Sequence, residues 1–548
     1  MRRSTLICML IWLVLGTSLP TWAQTFPTSD YFRRVWRHPE LPNRIREPQG
    51  LKDYVISGRL RLALDDAVRL LLLNNTEVRI RELQQEEARL AILRAYQPFD
   101  PVVDSNFFAN RTTSPARSEL DGAPTLSSLS QNSLVSYSQA FQTGTRGSVS
   151  FNSQKQADNS VFTLLNPSLF ASLNFSLSQP LLKGRGLFPN RAPILIAQRN
   201  LKRTHQDFEA SLNEAIANMV EQYWEVISLR ENLKIQRNSL ELAEATYKQN
   251  KRALELGALP PLDIYRSESE VATRRVFVIQ AEYFLKQAED RFRRTLGADL
   301  DSIVASLDLD LVESTEPAGN LFQINTADAM DRAFQRRPEL ESLREQLAID
   351  DTSIRLAHNG LQPELNLTGF YTSNGRGGNQ IDSSTVPPVV VRQGGIGDAL
   401  RQVGNFDFPA YGFNLQLRLP VRDRAASASL GTALVSKRRS LYQMRLAEQT
   451  IILQVRNAVH QLEQSKLSMA ASRVARDLAQ KNLEAEQRKY ELGTQPIFFT
   501  LQAQSVLAQA EVSLVSSQIG YQRALTAVEA ATGTLLEHHR IKIEEAGR

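Results

Sequence analysis

The sequence predicts a mainly α-helical protein with membrane β-strands, internally duplicated, in which each copy joins a long helical hairpin to a patch of amphipathic strands. Three observations predict it. The chain matches itself at two fixed offsets. Helical periodicity runs unbroken for about 67–69 residues, once in each copy. Strictly alternating segments interrupt the helices at the same place in both copies.

The first element is N-terminal. Arg2 and Arg3 precede a short apolar run, Leu6 to Leu15, and Thr21-Trp22-Ala23 offers small residues before Gln24, the layout of a secretory signal over residues 1–23. The single cysteine, Cys8, lies inside that run, so the exported chain is expected to carry neither disulfide nor thiolate metal site. Losing Arg2 and Arg3 lowers the net charge from +5 to +3, without the concentrated basic face that nucleic-acid binding needs. Residues 24–58 are rich in Pro and Arg and read as a connecting segment.

The duplication sets the rest. At an offset of 262, Asp66-Ala67 falls on Asp328-Ala329, Glu77 on Glu339, Pro101 on Pro363 and Phe108 on Phe370. At an offset of 236, Leu242-Ala243 falls on Leu478-Ala479, Glu255-Leu256-Gly257 on Glu491-Leu492-Gly493, and Gly297 on Gly533. The difference places a net insertion of 26 residues in the first copy, between Phe108 and Ala197. Repeat 1 spans 59–300, with a helix at 64–98, strands over about 101–182 and a helical hairpin over 190–297. A linker, 301–323, leads to repeat 2 at 324–536, with a helix at 326–361, strands over about 363–421 and a hairpin over 424–532. Residues 537–548 read as a loose polar tail.

Local chemistry justifies each boundary. Pro98 and Pro101 stop the first helix, and Gly257 with Pro260 and Pro261 stops the long one. Phe413, Leu415, Leu417 and Leu419 share one strand face, and Asn414, Gln416 and Arg418 the other, the pattern of a barrel wall between lipid and water. Ser133 to Phe141, the Thr143-Gly144-Thr145 turn and Ser148 to Asn152 read as an extra hairpin in the first copy. A helix of this length spans roughly 100 Å. The two short helices of one copy sum to nearly one long helix, which suggests a uniform tall wall. One chain supplies too few strands to close a barrel, and an open edge is not tolerated in lipid.

At this point the chain resembles the TolC-like outer-membrane efflux proteins. The resemblance rests on the order and duplication of four features. These are the repeat openings at 64–77 and 326–339, Pro101 and Pro363 at the helix-to-strand switch, the Gln179-Pro180-Leu181 and Leu419-Pro420-Val421 strand exits, and the paired Glu-Leu-Gly turns. It implies a homotrimer, an α-helical barrel in the periplasm and a shared transmembrane β-barrel in outer-membrane lipid, usually with two strands per copy. It also implies no cofactor, and partners in a membrane-fusion adaptor and an inner-membrane pump. The turns Gly257-Ala258-Leu259 and Gly493-Thr494-Gln495 would be the docking tip. Asp263 and Tyr490 match family residues at the closed tip and are expected to hydrogen-bond. Asp263 equally suits a helix cap.

Two departures follow. Gln495 stands where the family has Arg, and Phe499 and Gln502 stand where it can carry Asp, so an acidic ring at the entrance is not expected. Phe498 and Phe499 read either as an apolar constriction or as packing between hairpins. The extra hairpin either enlarges the barrel or lies at its mouth. No HExxH, GxSxG or phosphate loop argues for an enzyme, and His538-His539 is a weak metal candidate. The rival reading is a periplasmic coiled-coil scaffold or adaptor without a pore. The sequence does not name the cargo.

Overall fold

The computed structural model describes residues 47–115, 124–160, 163–256, 261–317, 321–382, 385 and 389–541. The expected signal, most of the 24–58 segment, the Gly257-Ala258-Leu259 turn and residues 542–548 lie outside them. The chain divides at Gly50, and the unit Gly50–Arg548 carries the elements that form the fold.

In the first repeat, strands β1 (Val55–Ile56) and β2 (Arg59–Leu62) precede helices α1 (Leu64–Asn74) and α2 (Thr76–Tyr96). Four strands follow: β3 (Val102–Pro115), β4 (Thr125–Ala140), β5 (Arg146–Asp158) and β6 (Leu165–Pro180). The hairpin α3 (Leu187–Glu255) and α4 (Pro261–Thr295) completes it. After β7 (Asp308–Leu311), the second repeat supplies α5 (Thr326–Arg336), α6 (Pro338–Gly360), β8 (Glu364–Asp382), β9 (Val389–Arg392), α7 (Ile396–Asn405) and β10 (Phe408–Arg418). It ends with α8 (Arg424–Glu491), α9 (Ile497–Thr532) and the single turn α10 (Leu535–His538).

Three expectations need correction. The helices read as 64–98 and 326–361 are each broken, at Asn75 and Arg337, which are equivalent positions of the duplication. Both residues leave the helical region, with ψ of 123° and 117°. Asn75 then caps α2 by accepting from the backbone N–H of Glu77 (2.9 Å) and Val78 (3.1 Å). Pro338 opens α6 at a position where no N–H is needed.

Second, 301–323 is more than a linker. Leu309 and Leu311 of β7 are buried, and β7 pairs in parallel with β2. The alternation Arg-Leu-Arg-Leu meets Asp-Leu-Asp-Leu, so Arg59 faces Asp308 and Arg61 faces Asp310 across the ladder. Third, the tail of 537–548 is tied down at its start, although Glu537, His538 and Arg540 stay exposed. Glu537 pairs with Arg336, and the His539 ring contacts the carboxylate of Asp65 at 2.9 Å.

These pieces surround the main dry core, midway along the hairpins. Tyr223 and Phe292 are fully buried there, edge to face at 5.9 Å, with Ile216, Met219 and Leu296. Each such side chain contributes about 1.5–3 kcal/mol through burial. The Tyr223 hydroxyl is satisfied by the Leu62 carbonyl at 3.2 Å.

At one end of the hairpins stands the large sheet, antiparallel throughout, in the order β10-β8-β6-β5-β4-β3, with β9 paired to the outer end of β8. Its register keeps the faces distinct. Val103, Tyr137, Val149, Phe175, Tyr371 and Tyr411 form one cross-strand row, and Asp104, Ser136, Ser150, Asn174 and Thr372 lie in the next row, on the opposite face. The strands read near 364–374 and 410–421 run to Asp382 and stop at Arg418.

Between them lies α7, which sequence reasoning did not find. Ala399 and Val403 pack on Ala171 and Leu173, and the Ser373 hydroxyl donates to the Val403 carbonyl at 2.8 Å. Gly375 and Gly377 make this approach possible, since a Cβ at either would overlap the carbonyl oxygen of Ala399 or Gly395. Among the described residues no helix is long and apolar enough to cross a membrane.

Candidate functional site

The opposite end of the two hairpins carries the site. At the tip of the second hairpin, α8 stops by backbone chemistry. Gly493 takes φ 71°, its N–H donates to the Tyr490 carbonyl (2.9 Å), and the Thr494 N–H donates to the Lys489 carbonyl (3.0 Å). This reciprocal pair is a Schellman stop, and only glycine adopts its left-handed residue at no cost. The stop places Tyr490 in the last turn, facing the first hairpin.

There the Tyr490 hydroxyl donates to Asn250 Oδ1 at 2.7 Å. Asn250 Nδ2 donates to Ser267 Oγ at 2.7 Å, and that hydroxyl donates to the Asp263 carbonyl at 3.2 Å. Asn250 and Ser267 are fully buried, so each of these bonds satisfies a group that water cannot reach. One chain of hydrogen bonds therefore runs from α8 through α3 to α4.

A second link lies a few turns back from the tip. Gln504 on α9 donates to the Thr246 hydroxyl on α3 at 3.1 Å. Beside it Ala479, Leu483, Ala503 and Leu507 form a small apolar cluster that Leu242 of the first hairpin touches.

The expected Asp263–Tyr490 hydrogen bond is thus replaced by Tyr490–Asn250. Asp263 lies in the first turn of α4, past its start at Pro261, so it is not the cap either. Its carboxylate faces Arg266 at 3.6 Å. It remains close enough to act on Tyr490 through space. Burial pushes the phenol above its ordinary value of 10, and the Asp263 charge adds to the rise.

Sequence reasoning missed Asn250 and Ser267. The available signal was Asn250 itself, seven residues after Ala243 and so on the same apolar stripe. Phe498 and Phe499 stack edge to face at 5.4 Å, and both remain substantially exposed in the protomer rather than packed between hairpins. Gln502 is exposed, and Gln495 keeps a buried side-chain oxygen without a partner. No cluster of metal-ligating side chains occurs among the described residues.

The sheet at one end and the linked hairpins at the other match a known architecture. The sequence pattern of the family described as "outer membrane efflux protein" fits residues 67–298 and 329–534. The chain belongs to that family. The outer membrane protein TolC of Vibrio cholerae serotype O1 is 19% identical over 342 residues, covering 62% of this chain and 72% of that protein. The Campylobacter jejuni CmeC outer membrane channel superposes with a TM-score of 0.62 at 16% identity, over 93% of this chain and 92% of that one. The open state of the Neisseria gonorrhoeae MtrE outer membrane channel gives 0.57 at 16% identity, over 86% and 89%.

As an outer membrane efflux protein, the chain is an outer-membrane duct of the kind used in tripartite efflux, with its helical part in the periplasm. The scaffold reading falls with this assignment. A pore-less rod has no use for a sheet that is apolar on one face and polar on the other.

Proposed function

We propose that three copies of this outer membrane efflux protein form a passive conduit whose periplasmic tip docks on a membrane-fusion adaptor and an inner-membrane pump. The tip is held shut by the Tyr490–Asn250–Ser267 chain. The observation that carries this reading is the hydrogen bond between hairpins, Tyr490 to Asn250 at 2.7 Å, at the end opposite the sheet.

A hydrogen bond contributes only about 0.5–1.5 kcal/mol net. A few such bonds hold a closed tip yet yield to an adaptor that binds the open form about a hundredfold more tightly, roughly 3 kcal/mol. Gly493, Thr494 and Gln495, with Gly257, Ala258 and Leu259 of the first hairpin, are the docking surface in this reading. Phe498 and Phe499 form an apolar constriction, and Gln502 replaces a charge at the entrance, so closure does not depend on bound cations.

Planar-bilayer recording tests it. Tyr490→Phe, and more so Tyr490→Phe combined with Gln504→Ala, should raise single-channel conductance severalfold over the native duct. Unchanged conductance in the double variant would remove these residues from the closure.

A further inference from the structure

The sheet of one protomer ends in two bare strands. β3 is exposed at nearly every position, and so is β10, whereas β5 at the centre is mostly shielded. Neither can stay open in a bilayer, where an unpaired backbone group costs several kcal/mol.

Three features of the register fit one edge to the other. The path from β10 to β3 has six strands, an even number, so the edges run in opposite directions and can pair antiparallel. The polar and apolar faces persist through all six strands: Tyr137 and Val135 of β4 continue the apolar face, and Ser136 and Ser138 the polar one. The stagger also matches. The perpendicular row from Val102, first residue of β3, passes through Ser138, Ser148, Ser176 and Phe370 to Gly412. Gly412 lies six residues (412 to 418) from Arg418, the helix-side end of β10. A tilted wall needs such a climb per protomer if the helix-side ends of all strands are to stay level.

We propose that β3 of each protomer pairs antiparallel with β10 of a second copy, closing a barrel of eighteen strands in the trimer rather than the twelve that two strands per repeat would give. Level ends set Val102 opposite Arg418, which places Val103 opposite Leu417, Phe107 opposite Phe413 and Asn106 opposite Asn414. Val103 and Phe107 then meet Leu417 and Phe413 on one face, and Asp104 and Asn106 meet Gln416 and Asn414 on the other. Eighteen strands with this stagger tilt by about 35° and enclose a wall roughly 34 Å across.

The helical part gives an independent measure. Each protomer presents four helices in cross-section, α3 and α8 with the shorter helices that flank them. Twelve helices 8–10 Å apart make a ring roughly 30–38 Å across. Twelve strands with the same stagger would close at only about 27 Å. The extra first-repeat hairpin thus widens the barrel to meet the helical ring without a step.

The inference rests on the trimeric reading above, and the experiment separates the two. Cys8 is the only cysteine and falls within the expected signal, so introduced pairs report alone. Asn414→Cys is combined in turn with Asp104→Cys, Asn106→Cys and Phe108→Cys, and the detergent-extracted protein is oxidised with copper phenanthroline. The expected result is a covalent trimer on a denaturing gel, strongest for Asn106→Cys, lost on reduction and absent from each single variant. A covalent trimer from Ser150→Cys with Asn414→Cys, and none from the three β3 pairs, would make β5 the edge and overturn the proposal. Electron microscopy of the unmodified protein decides independently: eighteen strands in a threefold particle uphold it, and twelve refute it while leaving the trimeric duct intact. A detergent-independent monomer would instead sink the duct reading itself.

Discussion

The middle of the first hairpin and the tip where the two hairpins meet are held by different forces. Midway, Tyr223, Trp224 and Phe292 interlock in a dry core, with the Tyr223 hydroxyl tied back to the Leu62 carbonyl. At the tip the hairpins meet through Tyr490, Asn250, Ser267, Gln504 and Thr246, with only a small apolar cluster beside them. Burial of apolar surface cannot be undone locally without losing several kcal/mol. A hydrogen bond exchanged for one with water costs about 1 kcal/mol. The contrast separates a permanent joint from a releasable one.

The largest effect should come from the joint. Phe292→Ala removes a fully buried ring from the core and should destabilise the protomer by about 3–5 kcal/mol, read as a lower unfolding temperature in detergent. Any trimer that still forms should keep native conductance, because the tip links are untouched. A conductance change equal to that of a tip variant would erase the distinction.

At the tip, Asn250→Leu leaves the Tyr490 hydroxyl without its acceptor, at a cost of about 1–3 kcal/mol, while Ser267 loses one donor but keeps its bond to the Asp263 carbonyl. Conductance should rise at least as far as in Tyr490→Phe, since the same link between the hairpins is lost from its other side. Equal conductance in Asn250→Leu and the native protein would show that Asn250 only fills space. A smaller effect is expected from Gly493→Ala. It forces a side chain into φ 71° and costs about 1–2 kcal/mol, displacing the last turn that carries Tyr490. Helix content by circular dichroism should hold while conductance rises.

How much of this was legible varies with the kind of interaction. Elements written in local chemistry were readable: the stop at Gly493, the alternating faces of β10, and the long helices themselves. Interactions that join distant segments were not. The parallel pair β2–β7 unites residues separated by the whole first repeat, and its Arg-Leu-Arg-Leu and Asp-Leu-Asp-Leu signature is too short to outweigh the surrounding irregular text. α7 was hidden because its ten residues include two glycines, Gly397 and Gly404, and its stability comes from docking over Gly375 and Gly377. At the tip the family pattern pointed to Tyr490 with Asp263 as its partner, whereas the hydroxyl donates to Asn250. Resemblance specifies which position carries a polar group. It does not specify which of several neighbouring acceptors the hydroxyl reaches.

That distinction supplies the smallest predicted effect. If Tyr490 donates to Asn250, then Asp263 acts only through its charge, which disfavours tyrosinate. The phenol, raised by burial first and by Asp263 second, keeps its proton through the ordinary range near pH 10. A group whose folded value is raised contributes its share of stability fully below the unfolded value, and loses it as pH climbs through the folded one. The link should therefore persist below pH 10 and fail above it, with conductance rising in step with tyrosinate absorbance. Asp263→Asn removes the second cause and leaves the first. It should change closure by less than about 0.5 kcal/mol at neutral pH and shift the alkaline opening to lower pH. Tyr490→Phe should abolish that opening. If Asp263→Asn instead opened the duct at pH 7 as widely as Tyr490→Phe, the carboxylate would be the true acceptor and Asn250 a bystander.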